Sequence, residues 1–213
     1  MVRPAANLYR SQDIAYWFLR LNGFFTIANF VVHPVLRRHP AETDGDLLGV
    51  RFPNRLEMRG FDVPLIDHPV FTDGDERVDF VIAEVKHGPC ALNDTWTNGS
   101  RRVIQYTLDA AGIIDPEEVE AAAVELYARG QYDNGEHRLR LFAFGSQRDA
   151  DVKATQLTWP DAFGFIYRRF WEHRRRKSDH GQWGPVGGGL FDHVQTFHDD
   201  EDAFVVDALK RLI

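Results

Sequence analysis

Three residues have the types and spacing to do chemistry together. Asp46 opens a segment, Asp46 to Phe52, that reads as a strand between the turn Thr43-Asp44-Gly45-Asp46 and Pro53-Asn54. Glu84-Val85-Lys86 closes a second strand, Val78 to Val85, which is almost continuously apolar, like a strand buried on both faces. Strand side chains alternate with a period of two, so Glu84 and Lys86 project to the same face. If the two strands pair, Asp46 approaches Glu84. Two carboxylates on neighbouring strand ends make a hard-oxygen site suited to Mg²⁺ or Mn²⁺. A lysine beside them can orient or deprotonate water and stabilise developing phosphate charge. That set is the equipment for hydrolysing a phosphodiester. Charges at the end of an apolar run are also costly unless paired or metal-bound. The plainer readings are a turn-capping Asp46 and a solvated Glu84–Lys86 pair.

The elements that must position these residues follow from periodicity. Ile14, Trp17, Phe18 and Leu21 predict a helix over residues 11–22, with Ser11 as N-cap and Gly23 as stop. Phe25 to Val32 predicts a strand, ended by His33-Pro34. Residues 54–77 are polar and read as an insertion or a long hairpin connection. A helix is expected over 99–111, ended by Gly112. Another is expected after Asp115 as N-cap, with Pro116 at its first position, Glu118 three residues after the cap and Gly130 as stop. Arg138 to Phe144 reads as a strand and Lys153 to Trp159 as a further one. Phe163, Ile166, Tyr167, Phe170 and Trp171 mark a helix, as do Phe204, Val205, Ala208, Leu209 and Leu212. Residues 181–190 hold five glycines and a proline and read as a mobile loop or linker. The order predicts an α/β fold: a small mixed central β-sheet flanked by helices. It divides into a core over 1–150 and a helical C-terminal appendage over 151–213.

Composition narrows the function. The chain has 213 residues, 44% hydrophobic and 13% aromatic, which predicts a folded core rather than disorder. No apolar stretch suggests a membrane span or a signal peptide, so a cytoplasmic protein without a membrane partner is expected. A single cysteine, Cys90, excludes an intramolecular disulfide framework and a multi-cysteine zinc site. Cys90 reads as a buried structural thiol. The net charge of −7 argues against a broadly basic nucleic-acid coat, but a metal-dependent nuclease needs acidic residues and takes phosphate contacts from local basic patches.

The strand elements resemble the PD-(D/E)xK nuclease superfamily, with its restriction-endonuclease-like fold. Glu84-Val85-Lys86 matches the ExK element, and Asp46 in Gly45-Asp46-Leu47-Leu48 matches the acidic strand. The opening helix resembles that of Holliday junction resolvase-type nucleases: Ala15, Leu19 and Gly23 fit its pattern. Gln12 stands where those families carry an acid, and the neighbouring Asp13 could substitute. Gln105 and Tyr106 loosely fit a Gln-aromatic helix that follows the ExK strand. The resemblance covers about residues 8–145. It implies metal ligation by Asp46 and Glu84, catalysis by Lys86, and accessory positions at Gln12, Asp13 and Gln105.

Other residues add to this expectation. His87, next to the motif, could touch a phosphate or the attacking water, or be a plain loop histidine. His180, His193 and His198 show no ligand spacing and read as surface. From Asp161 to Lys177 the local balance is +4, five Arg and one Lys against Asp161 and Glu172, in an otherwise acidic chain. The helix expected there should expose Arg168, Arg169, Arg175 and Arg176, border the Asp46/Glu84 cleft and contact phosphates, with Arg101 and Arg102 extending the patch. The expected function is Mg²⁺- or Mn²⁺-dependent hydrolysis of DNA phosphodiesters by an endonuclease, acting alone, as a homodimer or in a larger complex. The alternative is a catalytically inactive member of the fold that binds nucleic acid or protein within such a complex. A phosphohydrolase of small nucleotides lacks support, because no glycine-rich phosphate loop follows a strand.

Overall fold

The computed structural model describes residues 8–32, 43–55, 65–72, 76–175 and 183–213. Helix α1 (Ser11–Leu21) leads into strands β1 (Phe25–Val32), β2 (Thr43–Arg51) and β3 (Val78–Val85). Helices α2 (Asp94–Thr97), α3 (Val103–Ala111) and α4 (Val119–Arg129) follow, then strands β4 (Gln131–Asp133), β5 (His137–Gly145) and β6 (Thr155–Thr158). Helices α5 (Trp159–Glu172), α6 (Gly184–Gln195) and α7 (Glu201–Lys210) complete the order. The sheet has six strands, in the order β1-β2-β3-β5-β4, with β6 also paired to β5. β1, β2 and β3 are antiparallel neighbours, whereas β3 and β5 are parallel. The expected mixed sheet flanked by helices is therefore the observed fold.

Alternation along the strands divides the core in two. Leu47, Val81, Ala83, Phe142 and Phe144 face α1 and the C-terminal helices. Leu48, Phe80, Ile82, Leu139 and Leu141 face the other way, under α2, α3 and α4. Parallel pairing of β3 with β5 requires a crossover, and α2 to α4 supply it while covering that second face.

The region after residue 150 is helical as expected, and it is built into the sheet and the first core layer. β6 pairs with β5, and Phe163, Phe170, Leu190 and Phe204 share one buried cluster with α1. Tyr9 bridges Leu212, donating its N–H to Arg211 O at 2.8 Å and accepting from the N–H of Ile213 at 2.8 Å.

The glycine-rich stretch differs most from expectation. From Gly184 onward it is not a loop but helix α6. Glycine is a poor helix former, but Leu190, Phe191 and Val194 bury enough apolar surface to fix the helix by packing. Gly187 also lies against the indole of Trp17: a Cβ there would stand 2.0 Å from Trp17 Cζ2. The small residue permits the close approach of the two helices.

Two helix starts shift as well. Arg102 takes a left-handed φ of 55°, which splits the expected 99–111 helix into a short 3₁₀ turn, Gly99–Arg101, and α3. Asp115 and Pro116 open a turn that the Glu118 N–H closes on Asp115 O at 2.9 Å, and α4 begins at Val119. The expected insertion falls partly on residues 56–64 and 73–75, outside the described residues. Its described part is not merely polar, since Phe71 is buried and stacks on Phe142 at 5.6 Å between centroids.

His193 is buried rather than at the surface. Its Nδ1 is 3.0 Å from the Tyr9 hydroxyl and its Nε2 is 3.0 Å from Asp207 Oδ2. His180 lies outside the described residues. Burial, aided by Arg211, lowers the His193 pKa from 6.5, with Asp207 opposing. The unfolded chain then binds the proton first as pH falls below that value, so this stability is present above it and lost on acidification. Burial lowers His68 in the same direction. Thermal melts are expected to show stability falling between about pH 7.5 and about pH 5.5, with a shallower fall in His193→Gln. An equal fall in both proteins would remove His193 as the cause.

Candidate active site at the end of strands β2 and β3

The site begins with strand register. Antiparallel pairing sets Leu47 opposite Ala83 and Leu48 opposite Ile82, and one further step along this register brings Asp46 to Glu84. The Asp46 carboxylate accepts a hydrogen bond from the N–H of Val85 at 2.8 Å, so its oxygen is fixed across the strand end. The N–H of Lys86 donates to Phe144 O at 3.0 Å, which extends the β3–β5 ladder one residue beyond β3. Asp46, Glu84 and Lys86 are thereby positioned by backbone pairing on both sides of β3.

Glu84 is 2% exposed. One carboxylate oxygen accepts from Lys86 Nζ at 2.5 Å and the other from the indole Nε1–H of Trp96 at 2.9 Å. Lys86 Nζ also donates to Asn93 Oδ1 at 2.8 Å. Burial raises the Glu84 pKa, and the negative charge of Asp46 raises it further, against the opposing hydrogen bond and charge of Lys86. The carboxylate is thus held in a dry position beside a second carboxylate, where added positive charge would be stabilising.

Gln12 arrives from α1 on the far side of β2. Its Nε2 donates to the backbone carbonyl of Asp46 at 2.8 Å and to Asn29 Oδ1 at 2.9 Å. Asn29 has a left-handed φ of 54° between the paired residues Ala28 and Phe30. Gln12 therefore braces the strand that carries Asp46 through its amide, a bond that a carboxylate at this position could not donate.

The remaining expected residues divide. His87 is exposed on the segment after Lys86. Asp13, next to Gln12 on α1, is turned to an ion pair with Arg10 at 3.3 Å. Gln105 is buried and turns toward Glu120 of α4, with Nε2–Oε1 at 3.5 Å, and is therefore a packing residue away from the carboxylates. Arg101 pairs with Asp94 at 3.5 Å and Arg102 with Glu120 at 2.9 Å, both in exposed ion pairs on the α2–α3 side. Cys90 is buried as expected.

The basic end of α5 is not at this site. Asp67 joins Arg169 at 3.0 Å to Arg51 at 2.8 Å, and Arg51 ends β2 at the opposite end from Asp46. The reason is helix direction. α5 starts beside the Gly145–Thr158 pair, at the Glu84 end of the sheet, and its 14 residues carry the chain about 20 Å back along it. Arg169, expected in solvent, is 3% exposed, and Arg168 is paired with Glu201. Arg175 is exposed at that remote end, and Arg176 lies outside the described residues. A cavity of about 800 Å³ lined by Asp67, His68, Phe165 and Arg169 also lies at this end and takes in none of Asp46, Glu84 and Lys86.

Trp96 and Asn93 belong to the site and were not legible as such. The signal was an Asn-x-x-Trp step soon after the ExK strand, which by itself reads as a helix start. Among the described residues no group of three or more His, Cys, Asp or Glu could hold a metal ion. What the site offers is two carboxylates, Asp46 and Glu84, with a lysine. Mg²⁺ is commonly held by one or two carboxylates, with water and substrate phosphate oxygens completing its shell, so the pair could hold that ion. No helix among the described residues is long and apolar enough to cross a membrane. No protein-family model, curated protein or solved structure matches the chain.

Proposed function

We propose that the chain is a metal-dependent nuclease that hydrolyses phosphodiester bonds of DNA. The observation that carries this reading is the meeting of Asp46, Glu84 and Lys86 at one end of β2 and β3. The order of helix, three antiparallel strands, crossover helices and a parallel fourth strand agrees with the PD-(D/E)xK resemblance.

The donor set fits a hard divalent cation. Glu84 is buried next to a like charge, and its pKa is raised by both causes. Such a carboxylate pair is relieved by a cation held between them. Bound at Asp46 and Glu84, Mg²⁺ would supply Lewis-acid polarisation of the scissile phosphate. The protein does the rest. The Val85 N–H and the Trp96 indole fix one oxygen each of Asp46 and Glu84, so neither acid must reorganise during the reaction. Lys86, its side chain partly exposed, orients the attacking water and places positive charge against the developing phosphorane. Arg101, paired with Asp94 of the helix that carries Trp96, and Arg102 can exchange their exposed carboxylate partners for backbone phosphates. A cytoplasmic location is consistent with this activity.

A second reading is favoured by Gln12. Its amide occupies the place of the usual helix acid and leaves two carboxylates, which suits an inactive scaffold that binds nucleic acid or a protein partner. The test is incubation of purified chain with plasmid and branched DNA in Mg²⁺ or Mn²⁺, with and without EDTA. Cation-dependent nicking that EDTA stops is the expected result. DNA left intact in both cations would assign the chain to the second reading.

A further inference from the structure

The short helix α2 carries both groups that grip the ExK motif. Trp96, 1% exposed, donates its indole N–H to Glu84. Asn93 precedes the helix at the N-cap position, with extended φ −65° and ψ 154°. Asn is among the preferred N-cap residues because its side-chain oxygen accepts a backbone N–H of the first turn. Asn93 makes no such bond. Its Oδ1 instead accepts from Lys86 Nζ at 2.8 Å. The backbone is held apart from this contact, since Asn93 O accepts from the N–H of Trp96 at 2.9 Å. The side chain is thus diverted from its local capping bond to the lysine.

We infer that Asn93 is a positioning residue that fixes the Lys86 ammonium for catalysis, an inference that rests on the nuclease reading. Lysine is a point charge on a flexible four-carbon stem, and an unrestrained ammonium samples many positions. Two contacts restrain it here, Glu84 Oε1 and Asn93 Oδ1. With a cation bound at Asp46 and Glu84, the Glu84 charge would be shared with it and would hold Lys86 less tightly. The neutral carbonyl oxygen of Asn93 does not depend on that charge. It keeps Nζ on the α2 side of Glu84, against the water and the phosphate rather than in solvent. Trp96 couples the two functions, because the same helical turn sets the rotamer of Glu84 and the place of Asn93.

The experiment measures kcat, KM for DNA and the Mg²⁺ concentration for half-maximal rate in the wild type, Asn93→Ala, Asn93→Asp, Lys86→Ala and the double variant Lys86→Ala/Asn93→Ala. Asn93→Ala keeps the fold, since no capping bond is lost, which a thermal melt checks. It is expected to lower kcat about tenfold, with KM and the Mg²⁺ requirement within about twofold. Asn93→Asp presents an oxygen at the same place and is expected to recover the rate to within about threefold. In the Lys86→Ala background the loss is expected to vanish, because the two residues act as a unit. A wild-type kcat in Asn93→Ala would overturn the inference alone. So would an undiminished loss in the Lys86→Ala background, which would assign Asn93 to the scaffold. A wild type that cleaves no DNA would overturn the nuclease reading and this inference with it.

Discussion

Lys86→Ala is expected to reduce cleavage of plasmid or branched DNA by about two to four powers of ten while leaving fold and cation binding intact. The ammonium is not a cation ligand, so its loss removes no donor from the Asp46/Glu84 pair. Its side chain is partly exposed beyond the end of β3, so truncation opens no core cavity. The backbone bond from the Lys86 N–H to Phe144 O persists in the variant. Glu84 loses one hydrogen-bond donor and keeps Trp96, and without the lysine its pKa rises further, so cleavage should be compared at a pH well above the carboxylate range. Rates equal to the wild type would remove Lys86 from the chemistry.

Asp46→Asn is expected to act on the cation itself. The Asn oxygen can still accept from the Val85 N–H, so the strand end remains pinned. The charge is lost, and with it half of the site's anionic ligand set. For a site of about 1 mM affinity, 10 mM Mg²⁺ stabilises the wild type by about 1.4 kcal/mol, a rise of about 3–5 °C in a chain of this size. The variant is expected to show no such rise. Its cleavage should fall by about three powers of ten or more, because metal polarisation supplies several kcal/mol of transition-state charge stabilisation. Removing Asp46 also removes one cause of the raised Glu84 pKa, so Glu84 ionises more readily in Asp46→Asn. A cation effect that survives in this variant would place the ion elsewhere.

The parts of the site legible in the sequence are those that strand periodicity governs. Phe25 to Val32 and Val78 to Val85 carry their boundaries in apolar and β-branched runs, and the two-residue period places Glu84 and Lys86 on one face. The register that brings Asp46 to them is a long-range fact, hidden until β2 and β3 pair. Trp96 and Asn93 were illegible for a related reason: indole and amide side chains are ordinary core and capping residues until their partners are known. The arginines of α5 show the limit of counting charge. Helix length and direction carry its described arginines to the far end of the sheet, where Arg169 is buried against Asp67. The glycines of α6 misled because propensity is local, whereas the helix is held by Leu190, Phe191 and the close approach to Trp17.

The central claim is that Asp46 and Glu84 form one cation site, and calorimetric titration of Mn²⁺ tests it most directly. Wild type and Asp46→Asn are titrated in parallel above the range in which Glu84 protonates. The wild type is expected to bind one ion per chain with millimolar-range affinity, and Asp46→Asn to give no saturable heat. Unchanged binding in Asp46→Asn, or none in the wild type, would contradict the account.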